Sequence, residues 1–505
     1  MTSVAEMIPV TGETSGRKHD AYAGFEGQYI DGSWRSGRTG RKLTDFDPYT
    51  GKPIVDLGMA DQSDLNAAYE AASKAQPAWA ATLPEERATV MLRSAAIMEL
   101  RRQEILEWLV RESGSTRIKA EIEWQMLHAI TLEAASFPHR ASGRILPSDV
   151  PGKESRAYRH PLGVIGVISP WNFPIYLTQR SVGPAIALGN SVVVKPAHDT
   201  PITGGLLLAK IYEEAGLPRG VLNVVVGASN EIGDPFAKHP IPALISFTGS
   251  TRVGQHVGEL AVSSSRMKRV ALELGGNTPT VVLDDADLDR AVPGTAFGRF
   301  LHQGQICMST NRIIVDAKIH DEFVDRFVAH VKTLKYGNPA EPDTVIGPVI
   351  NNGQLSHMLD LVNRSVSAGA RQLLGGEPRG LVLPPQVFVD VTNDMPIAQN
   401  ETFGPIAPII KVNGEEEALK VANDTMFGLS SAVFTRDEAR GLRFALRIEA
   451  GMTHINDSSV DDTPTGPFGG EKNSGIGRFG GEWILQEFTT DHWITAQHSK
   501  PQYPF

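Results

Sequence analysis

Between residues 162 and 262, short β-branched runs alternate with helix-length segments, and this pattern limits the fold more than any other feature of the chain. The runs lie at 162–168 (Leu-Gly-Val-Ile-Gly-Val-Ile), 191–195, 221–226 and 243–247. Between and after them, 174–188, 203–215 and 250–262 carry apolar residues at helical spacing. Strands joined through helices of that length run parallel, and right-handed crossovers put helices on both faces of the sheet. A doubly wound, Rossmann-like α/β domain is expected, with its ligands at the carboxyl ends of the strands.

A second alternating series begins near residue 275. Strands are expected at 280–283, 313–315, 430–434 and 453–455, with helices at 286–302, 319–334, 354–369, 415–423 and 437–448. Upstream, Ser63 is placed to cap a helix carrying Leu65, Ala68, Tyr69 and Ala72, and helices are expected over 84–112 and 118–135. Two extended segments, 156–160 and 488–495, have no local partners. They are expected to pair with each other and to extend a second subunit's sheet. The expected division is a flexible tail at 1–24, a dinucleotide-binding domain built from 25–140 and 161–275, a second α/β (catalytic) domain at 276–475, and a small β oligomerisation extension from 141–160 and 484–505. A chain of 505 residues is long enough for two or three lobes.

Composition narrows the partners. A net charge of −10 without a long basic run argues against nucleic acid and anionic membrane. No apolar run reaches the roughly 18–20 residues of a membrane-spanning helix. The first residues lack a basic then apolar export signal, so a reducing cytoplasm is the expected home.

The chain holds one cysteine, Cys307. A single thiol forms neither an intrachain disulfide nor a multi-cysteine metal site, and no metal is expected. It is either a buried filler or a nucleophile. Its setting, Gly304-Gln305-Ile306-Cys307-Met308 ahead of the run 313–315, is a loop-to-strand junction. Other groups fall at strand ends. Ser169-Pro170-Trp171-Asn172-Phe173-Pro174 follows the first run, and its two prolines stiffen the turn around Asn172. That amide is either a helix cap or a neutral donor to an oxyanion. Lys195-Pro196-Ala197-His198 ends the next strand, where Lys195 is a solvated charge or a ligand to ribose or phosphate. The segment from Gly249 and Ser250 to Gly254 opens a helix whose N–H groups suit a pyrophosphate, although it is not the GxGxxG fingerprint. In Leu272-Glu273-Leu274-Gly275-Gly276 the flanking leucines are expected to bury the carboxylate partly and raise its pKa toward the range of a general base. Glu401-Thr402-Phe403-Gly404-Pro405 sets another carboxylate beside an aromatic ring, and Phe468-Gly469-Gly470 is a glycine-rich loop.

Together these segments resemble the NAD(P)-dependent aldehyde dehydrogenase superfamily, in the order and approximate spacing of that family. The resemblance implies that the Cys307 thiolate attacks an aldehyde carbon, that the Asn172 amide and the Cys307 N–H hold the oxyanion, and that Glu273 activates water. It places cofactor contacts on Ser169, Trp171, Lys195, His198, Gly249, Ser250, Gly254, Leu274, Glu401 and Phe403. NAD is the cofactor expected. NADP stays admissible, because His198 stands where many NAD-specific members carry a glutamate that repels a 2′-phosphate. The family's usual assembly is a dimer or a dimer of dimers. The stretches 451–457, 475–481 and 487–490 look like the benzaldehyde and vanillin dehydrogenase branch, so an aromatic aldehyde is the expected substrate, its pocket formed by Tyr176, Arg180, Ile306 and Met308. The alternatives are a coenzyme-A-acylating enzyme, which needs no hydrolytic base such as Glu273, a broad aliphatic aldehyde dehydrogenase, and a non-catalytic protein of the same fold.

Overall fold

A computed structural model describes residues 20–505. The tail expected over 1–24 lies for its first 19 residues outside them. The chain just beyond is docked: the Tyr22 N–H donates to Glu104 Oε1 at 2.6 Å, and its ring lies 3.7 Å beneath the Arg101 guanidinium.

The first sheet has eight strands. Leu222–Val224, Ser191–Lys195, Val164–Ile168, Leu244–Thr248 and Arg269–Glu273 lie side by side in that order, all parallel. The chain order reverses between Val164–Ile168 and Leu244–Thr248, which opens a crevice at their carboxyl ends. The sheet is not purely parallel, however. Gln28–Ile30 and Ser33–Arg35 add an antiparallel hairpin at one edge, and Gly475–Ile476 pairs antiparallel with Arg269–Glu273 at the other.

From Glu273 the chain crosses through Leu274, Gly275, Gly276 and Asn277 into a second, seven-stranded sheet. Thr278–Val282, Thr310–Asp316, Ala432–Phe434 and His454–Ile455 answer the expected runs, while Arg371–Leu374, Gln386–Val389 and Ile406–Val412 complete the sheet on the far side of Thr310–Asp316. The expected extended segments meet: Lys153–Pro161 pairs antiparallel along its whole length with Thr489–Gln497, and Arg144–Leu146 joins them.

Two helix expectations are corrected. The helix over 84–112 is two, Pro84–Leu100 and Arg102–Ser113, because Arg101 leaves helical geometry (φ −102°, ψ 18°) as its side chain turns to Glu104 and Glu214. The helix Gln62–Ala80 is capped by Asp61, not Ser63: the Asp61 side chain accepts from the Asp64 N–H, and Asp64 answers the Asp61 N–H.

One helix positions the site. Every residue of Pro174–Ala187 is buried, packed largely against Arg117–Arg140. Its first-turn N–H groups, at Ile175 and Tyr176, donate to Glu123 Oε1 at 3.1 and 3.2 Å. Glu123 is also paired with the fully buried Lys119, whose ammonium lies 4.2 Å over the Phe173 ring. Breaking such a pair by removing one partner costs about 3–5 kcal/mol, so the helix start is strongly pinned. Among the described residues, no helix is long and apolar enough to cross a membrane.

Candidate active site

Cys307 follows a tight turn, Leu301–Gly304, in which His302 (φ 50°), Gln303 (φ 57°) and Gly304 (φ 76°) are left-handed in succession. Non-glycine residues in that region cost of order 1 kcal/mol or more each, so the loop must be held. Gln303 Nε2 donates to the Pro348 carbonyl at 2.7 Å. Arg299, itself buried, donates to the carbonyls of Gly304 (3.0 Å) and Thr310 (2.8 Å), tying the loop to the strand that follows it. A side chain at Gly304 would run into Arg299 and Gly404, and one at Gly276 would strike the Cys307 carbonyl oxygen. A Cβ at Gly275 would press on the Glu401 carboxylate, so each of the paired glycines where the chain crosses between sheets meets its own close neighbour.

The half-buried thiol sits where two cavities meet. Asn172, Leu177 and Cys307 line both. The larger, about 350 Å³, is the crevice at the strand ends of the first sheet; Trp171, Gly249, Ser250, Glu273, Leu274, Glu401 and Phe403 line it. The helix Thr251–Ser263 starts at its wall, presenting the N-terminal N–H groups and the positive end of the helix dipole. The smaller, about 150 Å³, is mostly apolar, with Ile122, Met126, Phe297, Ile306, Met308 and Phe468 in its lining.

Asn172 is not a helix cap. Its Nδ2 donates to the Gln305 carbonyl at 2.9 Å, which fixes the amide beside the thiol and leaves its second N–H free. The Cys307 N–H donates to no protein acceptor among the described residues. Glu273 ends its strand 2% exposed, and among the described residues neither carboxylate oxygen has a hydrogen-bond partner. Burial pushes its pKa up to about 8, opposed by Arg180 and reinforced by Asp462. Burial likewise drives the Cys307 thiol up to about 12; Arg180 lowers it, while Glu401, Glu273 and Asp462 raise it. A thiol so placed rests protonated at neutral pH and needs a base.

The sequence profile of the aldehyde dehydrogenase family matches residues 34–494. The chain belongs to the aldehyde dehydrogenase family. It is 53% identical to the vanillin dehydrogenase of Corynebacterium glutamicum, over 93% of this chain and 97% of that protein. Among solved structures, a NAD-dependent benzaldehyde dehydrogenase from Corynebacterium glutamicum matches with a TM-score of 0.87 at 50% identity, covering 94% of this chain and 98% of the other. A salicylaldehyde dehydrogenase from Pseudomonas putida G7, solved with salicylaldehyde, matches at 0.92 and 37% identity, covering 95% and 99%.

Within this aldehyde dehydrogenase fold, the remaining expected site residues separate into those in the crevice and those beside it. Glu401 Oε1 accepts from the Gly276 N–H at 2.8 Å, and burial raises its pKa to about 7. The Trp171 and Phe403 rings meet edge to face at 5.3 Å. Ser169, by contrast, turns its hydroxyl to the Gly204 carbonyl (3.1 Å), and Gly254 lies where any side chain would enter Leu274. Lys195 is buried at its strand end with a single neutral partner, Ser229 Oγ at 3.2 Å, and desolvation lowers its pKa to about 8. His198 is exposed and lines a neighbouring cavity with Asp199, Thr44 and Asn351.

Of the four residues expected around the substrate, Tyr176, Ile306 and Met308 line the apolar cavity and Arg180 does not. The buried guanidinium lies behind Glu273, with Nη2 3.8 Å from Glu273 Oε2 and Nη1 3.8 Å from Asp462 Oδ2. A helix position four residues beyond Tyr176 shares its face, but four charged or aromatic neighbours, Glu273, Asp462, Phe468 and Phe479, draw the longer side chain away from the cavity. Asp462 was not foreseen. It accepts from the Tyr176 hydroxyl and comes from an irregular loop whose only sequence mark is the doublet Asp461-Asp462.

Proposed function

We propose that the chain oxidises an aromatic aldehyde to its carboxylic acid with NAD, NADP being admissible. One observation carries the reading: the only thiol lies between a strand-end crevice and an apolar cavity, beside a fixed amide and an unpartnered buried carboxylate. The Cys307 thiol gives its proton to solvent, and the sulfur adds to the aldehyde carbon. The free N–H of Asn172 and the Cys307 N–H receive the oxyanion, stabilising charge that exists only after attack. Glu401, Ser250 and the start of Thr251–Ser263 suit a ribose and a pyrophosphate, as does the nearly unpartnered Lys195. When bound, the dinucleotide accepts the hydride released by the hemithioacetal carbon. Glu273 then takes a proton from water as its oxygen attacks the thioester carbon, and the sulfur leaves. An available base of this kind favours water over coenzyme A as acyl acceptor.

An apolar cavity of about 150 Å³ holds a single benzene-sized ring. The relatives named for vanillin, benzaldehyde and salicylaldehyde support an aromatic substrate. Burying a ring contributes about 1.5–3 kcal/mol, so kcat/KM for benzaldehyde should exceed that for acetaldehyde by about 10- to 100-fold without added coenzyme A. A panel run with NAD and NADP in which acetaldehyde wins, or in which NADH appears only with coenzyme A, contradicts this reading. Replacing Asn172 by Ala removes one oxyanion donor and should lower kcat by about 100- to 1,000-fold with NAD affinity retained, as read by steady-state rates and a fluorescence titration of NAD.

Exposed apolar groups on the three-stranded sheet, Ile145, Trp493 and Ile494, support its role as a contact between subunits of a homodimer or homotetramer. A single thiol with no second cysteine to pair with supports a reducing, cytoplasmic home.

A further inference from the structure

Arg180 is an unusual buried cation. It is 2% exposed, its Nε and Nη1 have no hydrogen-bond partner among the described residues, and it has a carboxylate at 3.8 Å on each of two sides. The Phe468 and Phe479 rings stand 4.3 and 4.7 Å from its guanidinium carbon and keep water from it. Neither carboxylate is bound tightly enough to hold the charge alone. We propose that Arg180 is a positioning residue for Glu273, and that Asp462, fixed by the Tyr176 hydroxyl, competes for the same guanidinium and so sets how firmly the base is held in its ionised form. The proposal rests on the reading of Glu273 as the base of thioester hydrolysis.

In this dry site, charge decides how Glu273 is held. Without a cation beside it, a buried carboxylate would hold its proton to still higher pH and supply too little base near neutrality. A directly hydrogen-bonded Arg–carboxylate pair would hold the base ionised but pinned and only weakly basic. Sharing one cation between two carboxylates gives an intermediate state, consistent with a Glu273 pKa near 8. Burial opposes the Arg180 charge, while Glu273, Tyr176 and Asp462 together keep the guanidinium above its usual range. The other charged groups acting on Glu273 are Arg478 and Glu487, of opposite sign to each other, and Cys307 completes the set around Arg180.

The step that reports on this arrangement is hydrolysis of the acyl-enzyme, and it needs no dinucleotide. p-Nitrophenyl benzoate acylates the thiol with loss of p-nitrophenolate. In the following step a water oxygen bonds to the thioester carbon, its proton passes to Glu273, the C–S bond breaks with its electrons on sulfur, and benzoic acid leaves. The isolated acyl-enzyme is followed from pH 5 to 10 in the unaltered chain and in Arg180→Gln, Arg180→Lys, Asp462→Asn and Glu273→Gln. Arg180→Gln should move the midpoint of the hydrolysis rate up by about one pH unit or more, the effect of losing a cation within about 4 Å. Arg180→Lys should restore much of it. Asp462→Asn, which keeps an acceptor for Tyr176 but no longer competes for the guanidinium, should move the midpoint down. Opposite shifts are something a merely structural role does not produce. Midpoints that stay in place, or that move together, overturn the proposal. Should Arg180→Gln fail to fold, the downward shift in Asp462→Asn decides alone. If Glu273→Gln hydrolyses its acyl group as fast as the unaltered chain, the assignment of the base itself is overturned.

Discussion

Cys307→Ala is expected to abolish aldehyde-dependent NADH formation, with kcat/KM falling by at least about 10,000-fold. The loss is so large because the chain has no other thiol and the change deletes the bond-forming atom. The substitution is otherwise mild. The loop is held by Arg299, Gln303 and Gln305, none of which touches the sulfur through a hydrogen bond. NAD affinity and the unfolding transition should therefore stay close to those of the unaltered chain, and an activity loss accompanied by unfolding would not count. Steady-state NADH formation with benzaldehyde measures the effect. Activity within tenfold of the unaltered chain contradicts a thiol mechanism.

The second large effect is expected at Glu273. Glu273→Gln keeps size and neutral hydrogen bonding but cannot accept a proton, so hydrolysis of the thioester should slow by about 100- to 10,000-fold. Stopped-flow traces should show rapid NADH formation of up to one equivalent per subunit, followed by near arrest. The neighbouring pH profile follows from the same group. Glu273 works as the carboxylate, and its pKa is raised to about 8 by burial, so turnover should climb as pH rises through about 8 and fade below it. In Glu273→Gln that limb should disappear. A profile unchanged by the substitution would remove Glu273 from the chemistry.

Much of this site is visible in residue order because its parts lie at strand ends, where chemistry and secondary structure are coupled. The runs 162–168, 191–195 and 243–247 emerge as Val164–Ile168, Ser191–Lys195 and Leu244–Thr248, since β-branched residues buried on both faces leave little ambiguity. The strands Arg371–Leu374 and Gln386–Val389 are short, with Gln and Arg among their apolar residues, and only pairing in the sheet makes them strands. The edge pairing of Gly475–Ile476 has no local signature at all, because its partner is some 200 residues away in sequence. Leu272 and Leu274 correctly signal the burial of Glu273. The direction of Arg180 was not legible: periodicity places it on a helix face but cannot weigh Glu273, Asp462 and two phenylalanine rings that arrive from distant segments. The exposure of His198 is a similar case, decided by how the loop after Lys195 runs.

The central claim, an aromatic acyl group carried on one thiol between a crevice and an apolar cavity, is tested most directly by the mass of the trapped intermediate. Glu273→Gln incubated with benzaldehyde and NAD should gain the mass of one benzoyl group per subunit, located by peptide mapping on Cys307. Unmodified protein after a full equivalent of NADH has formed, or an acyl group on any other residue, would contradict it.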